Sequence, residues 1–596
     1  MRGAPAIRPK DATLTEMLAA AAQIQVSLFF VNRKEQDYEV PMARVRERAL
    51  SIAADLMARG VRKGDRVALV LPTCPEFVEC LFGALCAGAI PVPLYPPLRL
   101  GKLDEYHRRT AAMLKAVDAA MVVTDERIRR FLGIAVADSA PRLGCVTASG
   151  LGGPNREEVE VAPDDVALIQ FSSGTTNDPK PVALTHANLL SNLAAIEGYL
   201  IDEGAPNRVG VTWLPLYHDM GLIGNLLCAF YMRRKLVLLP PELFVAVPGA
   251  WLRAISRHRG TVTAAPNFAF GLCLKRIRDE ELDGVDLSSW RVSLNGAEAV
   301  SSAAQRRFEE RFARWGLRAS ALTPCYGMAE ASLAVTFKPA GTSFRTLAVD
   351  AERLALDGVV APGTKELVSV GRPLAGVEVE IRDAAGVSLP PGRVGHIFVR
   401  GPSVMAGYFA RTDLTDQAIH DGWLDAGDLG FTEDGELFVC GRQKDIIVVR
   451  GANHAPEEFE AALESLPGVR TGCAVAVGFV PAGQDDEALA MLVETTNNAP
   501  STLADEVASR VQEHTQIRPA RVELLAPGTL PRTSSGKLRR REARTQWLAG
   551  TLSPPKKVSA ARLLTAAAHG ELSHARARFA RRADNTPSLT PSSRER

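Results

Sequence analysis

Residues Val67–Pro72 read VALVLP, and Pro75–Pro97 read PEFVECLFGALCAGAIPVPLYPP. A short apolar run, a segment opened by proline and a second apolar run (AIPVPLYPP) spell strand, helix, strand. Parallel strands need such a crossover, and units of this kind build parallel sheets with helices on both faces. A helical pattern precedes the unit (Val45, Ala49, Ile52, Ala53, Leu56) and stops near Gly60. The alternation then recurs. AAMVVTD (Ala119–Asp125) follows a helical stretch around Tyr106–Val117. Thr185 is a good N-cap for a helix carrying Leu189, Leu190, Leu193 and Ile196, and KLVLLP and TVTAAP flank a helix over Trp251–His258. The first half of the chain is therefore expected to be α/β.

After about residue 340 the pattern changes. GTSFRTLAVDAERLALDGVVAPGTKE has weak periodicity, and the alternating runs VEVEIRD, VGHIFVRG and GELFVCG predict a β-rich lobe. A helix opening at Pro456, with Phe459, Ala462, Leu463 and Leu466 on one face, leads into CAVAVGFV, a helix near Leu503–His514 and RVELL. These predict a small α/β domain ending near Leu548. The remainder to Arg596 is Pro/Ser-rich at both ends and basic between (Lys556, Lys557, Arg576, Arg578, Arg581, Arg582); these cations suit an acidic partner or nucleic acid, but the segment reads first as a solvated, partly disordered extension.

At 596 residues the chain is too long for one core, and length alone implies about three or four folding units. A balance of 70 basic against 68 acidic residues leaves +2, which excludes the large field expected of a nucleic-acid binder. The nine cysteines form no CxxC pair, so reduced core thiols in a cytoplasmic protein are expected rather than a disulfide framework or zinc site. The most apolar stretch, Phe77–Leu94, contains Glu79 and two prolines and is short for a membrane span.

Phe171–Lys180 reads FSSGTTNDPK and lies between the apolar runs VALIQ and PVALT, a strand–loop–strand pattern. Gly174 permits close backbone approach, successive N–H groups can cradle an anion, Ser172, Ser173, Thr175 and Thr176 add hydroxyl donors, and Lys180 adds a mobile charge. That chemistry suits a polyphosphate, although a polar surface turn has the same composition. It is not GxxxxGK[ST].

Further segments bear on this loop. WLPLYHDMGL brings His218 and Asp219 to the end of an apolar run, SLNGAEAV carries Asn295, Gly296, Ala297 and Glu298, and CYGMAEAS carries Tyr326, Gly327, Met328 and Glu330. GWLDAGDLGF…GELFVCGRQKD carries Asp428, Arg442 and Lys444, and LPRTSSGKLRR presents Lys537 after a Thr-Ser-Ser-Gly turn. Each alone has a plain structural explanation. In this order, over roughly residues 12–545, they resemble the adenylate-forming enzymes, which include acyl-CoA synthetases, peptide-synthetase adenylation domains and luciferases. The form of WLPLYHDMGL, YGMAEAS, RTSSGKLRR and GRQKDIIVVRGANHAPEEFE is most similar to the fatty acyl-AMP ligases.

The resemblance implies an α/β fold class: a large N-terminal domain of two α/β sheet subdomains plus a β-rich lobe (1–443), then a small mobile α+β C-terminal domain (444–548), with Lys444 as hinge and 549–596 as tail. It implies ATP-dependent conversion of a fatty acid to its acyl-adenylate with Mg²⁺. Lys537, Glu330, His218 and Lys180 would be the catalytic set, and Glu330 the metal ligand. Ser172–Thr176 and Lys180 would hold phosphates, Asp428 and Arg442 the ribose, and Tyr326 the adenine face. Asn295, Gly296 and Ala297 would line the adenine edge, with Glu298, Gly327 and Met328 also at the nucleotide. His218 would gate an acyl tunnel made from Gly221, Leu222, Gly224, Leu226, Leu227 and PNFAFGL (Pro266–Leu272). Residues 342–367 fall where these ligases carry an insertion that restrains the small domain, which implies an acyl-carrier protein on another chain as acceptor instead of coenzyme A. An acyl-CoA or aryl-CoA synthetase and a nucleotide-binding pseudoenzyme are the competing readings. The chain departs from the family where Asn177 and Pro181 replace glycines.

Overall fold

A computed structural model of the chain describes residues 1–596 apart from 98, 99, 155, 156, 173–179, 203–207, 450, 465, 482–485, 534, 535, 557–564, 566 and 574–596. It divides into two compact units, one of Met1–Glu47, Pro72–Pro75 and Glu160–Pro555, the other of Arg48–Leu71, Glu76–Val159 and Lys556–Arg596.

The second unit contains the stretch that decides the class. Its sheet is parallel, in the order Ile90–Pro93, Arg66–Val70, Ala119–Thr124, Cys145–Thr147. Val67 to Val70 are fully buried because helices cover both faces, which is why the strand reads as a continuous apolar run rather than an alternation. Gly83 lets the helix Pro75–Cys86 approach closely: a Cβ there would stand 2.6 Å from Ile52 Cγ2. Asp125 caps the helix Glu126–Ser139 by accepting from the N–H groups of Arg127 and Ile128 at 2.8 and 2.6 Å. Residues 567–573 are helical and lie on that helix, with Glu571 3.6 Å from Arg129.

The first unit is built on a nine-stranded sheet. From Arg372–Pro373 the order runs through Ala334–Phe337, Leu322–Gly327, Val292–Asn295, Val262–Ala265, Val209–Thr212, Lys235–Leu238 and Ser27–Val31 to Asp37–Pro41. Its central strands are parallel and both edges antiparallel. Beside it, Val166–Phe171, Pro181–Thr185 and Gly407–Tyr408 form a small antiparallel sheet. Thr185 and Asn188 cap one another reciprocally at 3.1 Å at the start of His186–Asp202. The β-rich lobe is a five-stranded antiparallel sheet made of Glu378–Arg382, Gly395–Arg400, Trp423–Glu433, Ile419–His420 and Glu436–Arg442.

The stretch after residue 340 is not a plain loop. Thr346–Val349 pairs antiparallel with Lys365–Val368, and a short helix, Ala351–Asp357, capped by Asp350, fills the gap. The small C-terminal α+β part has the sheet Val469–Phe479, Ala488–Thr495, Arg521–Leu525. Its first strand shows the period of two that a doubly covered sheet imposes. Ala474 and Ala476 pack with Phe459, Leu463, Leu503 and Val507, while Cys473, Val475 and Val477 pack with Leu530 and Ala543 on the other face. All nine cysteines are free thiols, as their spacing predicts. No described helix is long and apolar enough to cross a membrane.

Candidate active site

Strand ends and short turns of the first unit surround a cavity of about 2060 Å³. Of the residues singled out from sequence, its wall includes Ser172, Lys180, His218, Gly296, Ala297, Glu298, Tyr326, Gly327, Met328, Glu330, Asp428, Arg442, Lys444 and Lys537. Ser173, Gly174, Thr175 and Thr176, with Asn177, lie outside the described residues. Asn295 is not on the wall. It is fully buried at the end of its strand, its amide nitrogen 3.4 Å from Asn267 Oδ1 and its own Oδ1 without a hydrogen-bond partner.

One side of the cavity is an antiparallel register. Asp428 pairs with Arg442 across adjacent strands, placing Arg442 Nε 3.4 Å from Asp428 Oδ1, and the Tyr326 hydroxyl donates to Asp428 Oδ2 at 2.7 Å. Asp428 is only 8% exposed, and that burial raises its pKa against the opposing pull of Arg442 and Tyr326. A buried carboxylate with an arginine beside it is suited to accepting hydrogen bonds from hydroxyls.

The turn after Tyr326 is unusually tight. A Cβ on Gly327 would stand 1.9 Å from the Leu333 carbonyl, which accepts from Met328 N–H at 2.8 Å, and Ser332 takes φ +64°. This geometry turns Glu330 to the cavity. Its Oε1 accepts from the Tyr408 hydroxyl at 3.0 Å, and Lys180 Nζ stands 4.9 Å from the centre of the Tyr408 ring. Burial lowers the Lys180 pKa, with Glu330 opposing and Lys444 and Arg411 reinforcing. Gly296 and Ala297 form a second tight turn: a Cβ on Gly296 would stand 2.8 Å from both the carbonyl oxygen and Sγ of Cys325, and Ala297 takes φ +69°.

Lys537 follows Gly536, whose φ of +93° makes the turn, and its N–H donates to Thr533 Oγ1 at 3.1 Å. Burial lowers the ammonium pKa, while Asp219, Glu298 and Asp428 act to raise it. Asp219 feels the converse. Burial alone would raise it, but His218 at 2.6 Å, and Lys537 beyond, hold it down at about 2. Glu298 accepts from Phe268 N–H at 2.7 Å at the start of Asn267–Arg276, and its burial raises its pKa. A cation and three carboxylates thus line one cavity.

The apolar end is narrower in membership than sequence implies. Gly224, Asn267, Phe268, Gly271 and Leu272 line the cavity, whereas Leu222, Leu226 and Leu227 are buried core. Gly221 is a packing glycine, since a Cβ there would stand 2.2 Å from the Pro215 carbonyl. Leu222–Leu227 forms a π-turn, an arrangement that opens a helix locally and that hydrophobic periodicity does not reveal. Sequence reading also passed over Asp219 as a charged partner and Tyr408. The first stood beside His218 in plain view; the second is one tyrosine in an ordinary AGYF stretch.

A nucleotide and a divalent cation fit this donor set. Glu330 is a hard-oxygen donor on the wall, and Lys180 and Lys537 on the same wall are cations suited to phosphate. Among the described residues no three His, Cys, Asp or Glu side chains cluster as a metal cage. A cation here would take its remaining ligands from phosphate and water, as Mg²⁺ commonly does.

Comparison with known proteins gives a consistent set. The family model described as AMP-binding enzyme matches residues 21–409. A medium-chain-fatty-acid–[acyl-carrier-protein] ligase, JamA, from Moorena producens is 33% identical over 91% of this chain and 96% of its own. A long-chain-fatty-acid–AMP ligase, FadD26, from Mycobacterium bovis is 34% identical over 84% of this chain and 89% of its own. A solved structure from work on the fatty acyl-adenylate ligases of E. coli and L. pneumophila superposes with a TM-score of 0.85 at 33% identity, covering 92% of this chain and 99% of that one.

Proposed function

The chain belongs to the AMP-binding enzyme family, and on that premise we propose that it converts a fatty acid and ATP to acyl-adenylate and pyrophosphate. We further propose that it passes the acyl group to the phosphopantetheine thiol of an acyl-carrier protein on another chain. The observation that carries the reading is the position of Lys537 in one cavity with Asp428, Glu330 and Lys180, next to an apolar end lined by Gly224, Phe268, Gly271 and Leu272. The names of JamA and FadD26 favour a fatty acid, and that of JamA favours a carrier protein.

A fatty carboxylate has a pKa near ~4.3 and is ionised at neutral pH, so no general base is required. Its attack on the α-phosphorus forms a carboxylate O–P bond and breaks the bond to the β-phosphate oxygen, releasing pyrophosphate. The barrier is anion meeting anion, so the protein contributes position and positive charge. In this reading Lys537 neutralises the carboxylate and α-phosphate. Lys180, with Ser172, the loop hydroxyls and the Gly174 backbone, holds the leaving phosphates. Asp428 and Arg442 fix the ribose, Tyr326 covers the adenine, and Gly296, Ala297 and Met328 border it. Mg²⁺ bound at Glu330 would supply charge neutralisation on the phosphates. His218, paired with Asp219 on the cavity wall, is read as the gate to the acyl site, and Lys444 as the hinge to the small domain.

The acceptor reading rests on residues 342–367. Lys365 lies 2.7 Å from Glu458 of the small domain, and Ala351–Asp357 packs on its strand Ala452–His454. An insertion anchored in this way restrains the rotation that a free thiol acceptor would need. The test supplies ATP, Mg²⁺ and a panel of fatty acids with either coenzyme A or a phosphopantetheinylated carrier protein. Acyl-carrier product without acyl-CoA is expected. Robust acyl-CoA formation would establish a synthetase, and no adenylate with any acid would establish a nucleotide-binding module.

A further inference from the structure

Tyr408 is not among the residues to which the reaction assigns a task, yet it touches two that are. Its hydroxyl donates to Glu330 Oε1 at 3.0 Å and its ring lies under Lys180 Nζ at 4.9 Å from the ring centre. One side chain therefore grips an anion with its polar tip and a cation with its face, the two modes that a phenol offers. Tyr408 is 6% exposed, whereas Glu330 and Lys180 are half-buried and line the cavity with it.

The backbone around Tyr408 makes the same connection. Met405 N–H donates to the Glu330 carbonyl at 2.8 Å, Ala406 N–H to the Ala183 carbonyl at 3.1 Å, and Phe409 N–H to the Pro181 carbonyl at 2.7 Å. Gly407 and Tyr408 pair in register with Ala183 and Val182. The segment Met405–Phe409 is thus a strap that ties the turn carrying Glu330 to the strand leaving Lys180. These two parts are 150 positions apart in the chain (330 minus 180). A side chain on a backbone anchored at both ends loses little further entropy in holding its partners.

We infer that Tyr408 is a positioning residue that holds the Glu330 carboxylate and the Lys180 ammonium at a fixed separation, so that metal and phosphate are received together. The inference rests on the nucleotide reading above, and the experiment separates the two. ATP binding is measured calorimetrically with and without Mg²⁺ for the wild type, Tyr408→Phe and Tyr408→Leu, with thermal unfolding of each. Tyr408→Phe keeps the ring and removes only the hydroxyl. We expect it to cut the gain in ATP affinity that Mg²⁺ confers by about tenfold, the scale of one hydrogen bond to a charged group. Binding of metal-free ATP should stay within about twofold of wild type. Tyr408→Leu should weaken metal-free ATP as well, because the ring beneath Lys180 is gone.

An unchanged Mg²⁺ gain in a folded Tyr408→Phe protein overturns the positioning role while leaving the nucleotide reading intact. So does an equal loss with and without metal, since a merely structural tyrosine would produce that. A wild-type protein that binds no ATP overturns both.

Discussion

The carboxylate of Asp219 is buried, which on its own would raise its pKa, yet His218 and Lys537 hold it at about 2. The folded value lies below the ordinary 3.8, so the pairing contributes stability that is present above that value and is lost as pH falls through about 2. The linkage amounts to about 2 kcal/mol. Asp219→Asn should therefore be less stable by about 2 kcal/mol at neutral pH in denaturant titrations, with the deficit closing at acid pH. A deficit independent of pH would mean that packing, not charge, is what the substitution removed. The pKa of Lys537 is lowered as well, but by burial, which disfavours its charged form. Its charge is then lost as pH rises through a value below the usual ~10.4 of lysine. The alkaline limb of kcat/KM for adenylation should accordingly fall below that range, because kcat/KM reports the free enzyme. A rate flat up to ordinary lysine titration would contradict the role of Lys537 as the required cation.

At the scale of elements, the hairpin Thr346–Val349 with Lys365–Val368 and its helix is the least legible part of the chain and the one with the sharpest consequence. Its sequence has weak periodicity because its burial is one-sided and shallow: Val349 and Ala355 are buried, whereas Leu356 is half exposed. The strands and helices of the parallel sheets were legible for the opposite reason. Val67–Val70 is fully buried and Pro75–Cys86 is buried at Phe77, Val78 and from Cys80 to Cys86, so their apolar runs are long, broken only by Glu76 and Glu79. The site was legible where a residue type has few other uses in its motif, as with Asp428, Arg442, Glu330 and Lys537. It was illegible where an interaction depends on tertiary pairing, as with the Tyr408 hydroxyl on Glu330 or the electrostatic influence between Asp219 and Lys537. Asn295 marks a further limit: the NGAE turn is a strong signal, but the asparagine amide itself sits behind the wall that Gly296 and Ala297 form. Deleting residues 342–367, or replacing Lys365 by Ala to break the 2.7 Å pair with Glu458, should leave adenylate formation intact and raise acyl-CoA formation, more for the deletion. No acyl-CoA from either variant would remove the insertion from the account of acceptor choice.

At the scale of the whole molecule, the residues proposed for the reaction all belong to one of the two compact units, Met1–Glu47, Pro72–Pro75 and Glu160–Pro555. The described part of the tail belongs to the other. Composition reads this tail as a solvated, partly disordered extension; within it residues 567–573 are helical, and Gly133 and Gly570 pack so closely that a Cβ on Gly133 would stand 1.9 Å from the Gly570 carbonyl. Contacts of that kind stabilise the unit in which they lie. Removing residues 557–596 should lower the unfolding midpoint in scanning calorimetry and leave turnover unchanged. A collapse of turnover in the folded, truncated protein would assign the tail a part in the reaction.

All of these expectations presuppose that the chain activates a fatty acid through its adenylate and that Lys537 supplies the decisive charge. The direct measurement is ATP–pyrophosphate exchange dependent on added fatty acid, made side by side on the wild type and on Lys537→Ala with folding checked by circular dichroism. Exchange by the wild type and a loss of several orders of magnitude in the folded variant is the predicted result, the scale expected when the main electrostatic contact to a transition state is removed. Exchange that persists at near wild-type rate in Lys537→Ala, or no fatty-acid-dependent exchange by the wild type, would contradict it.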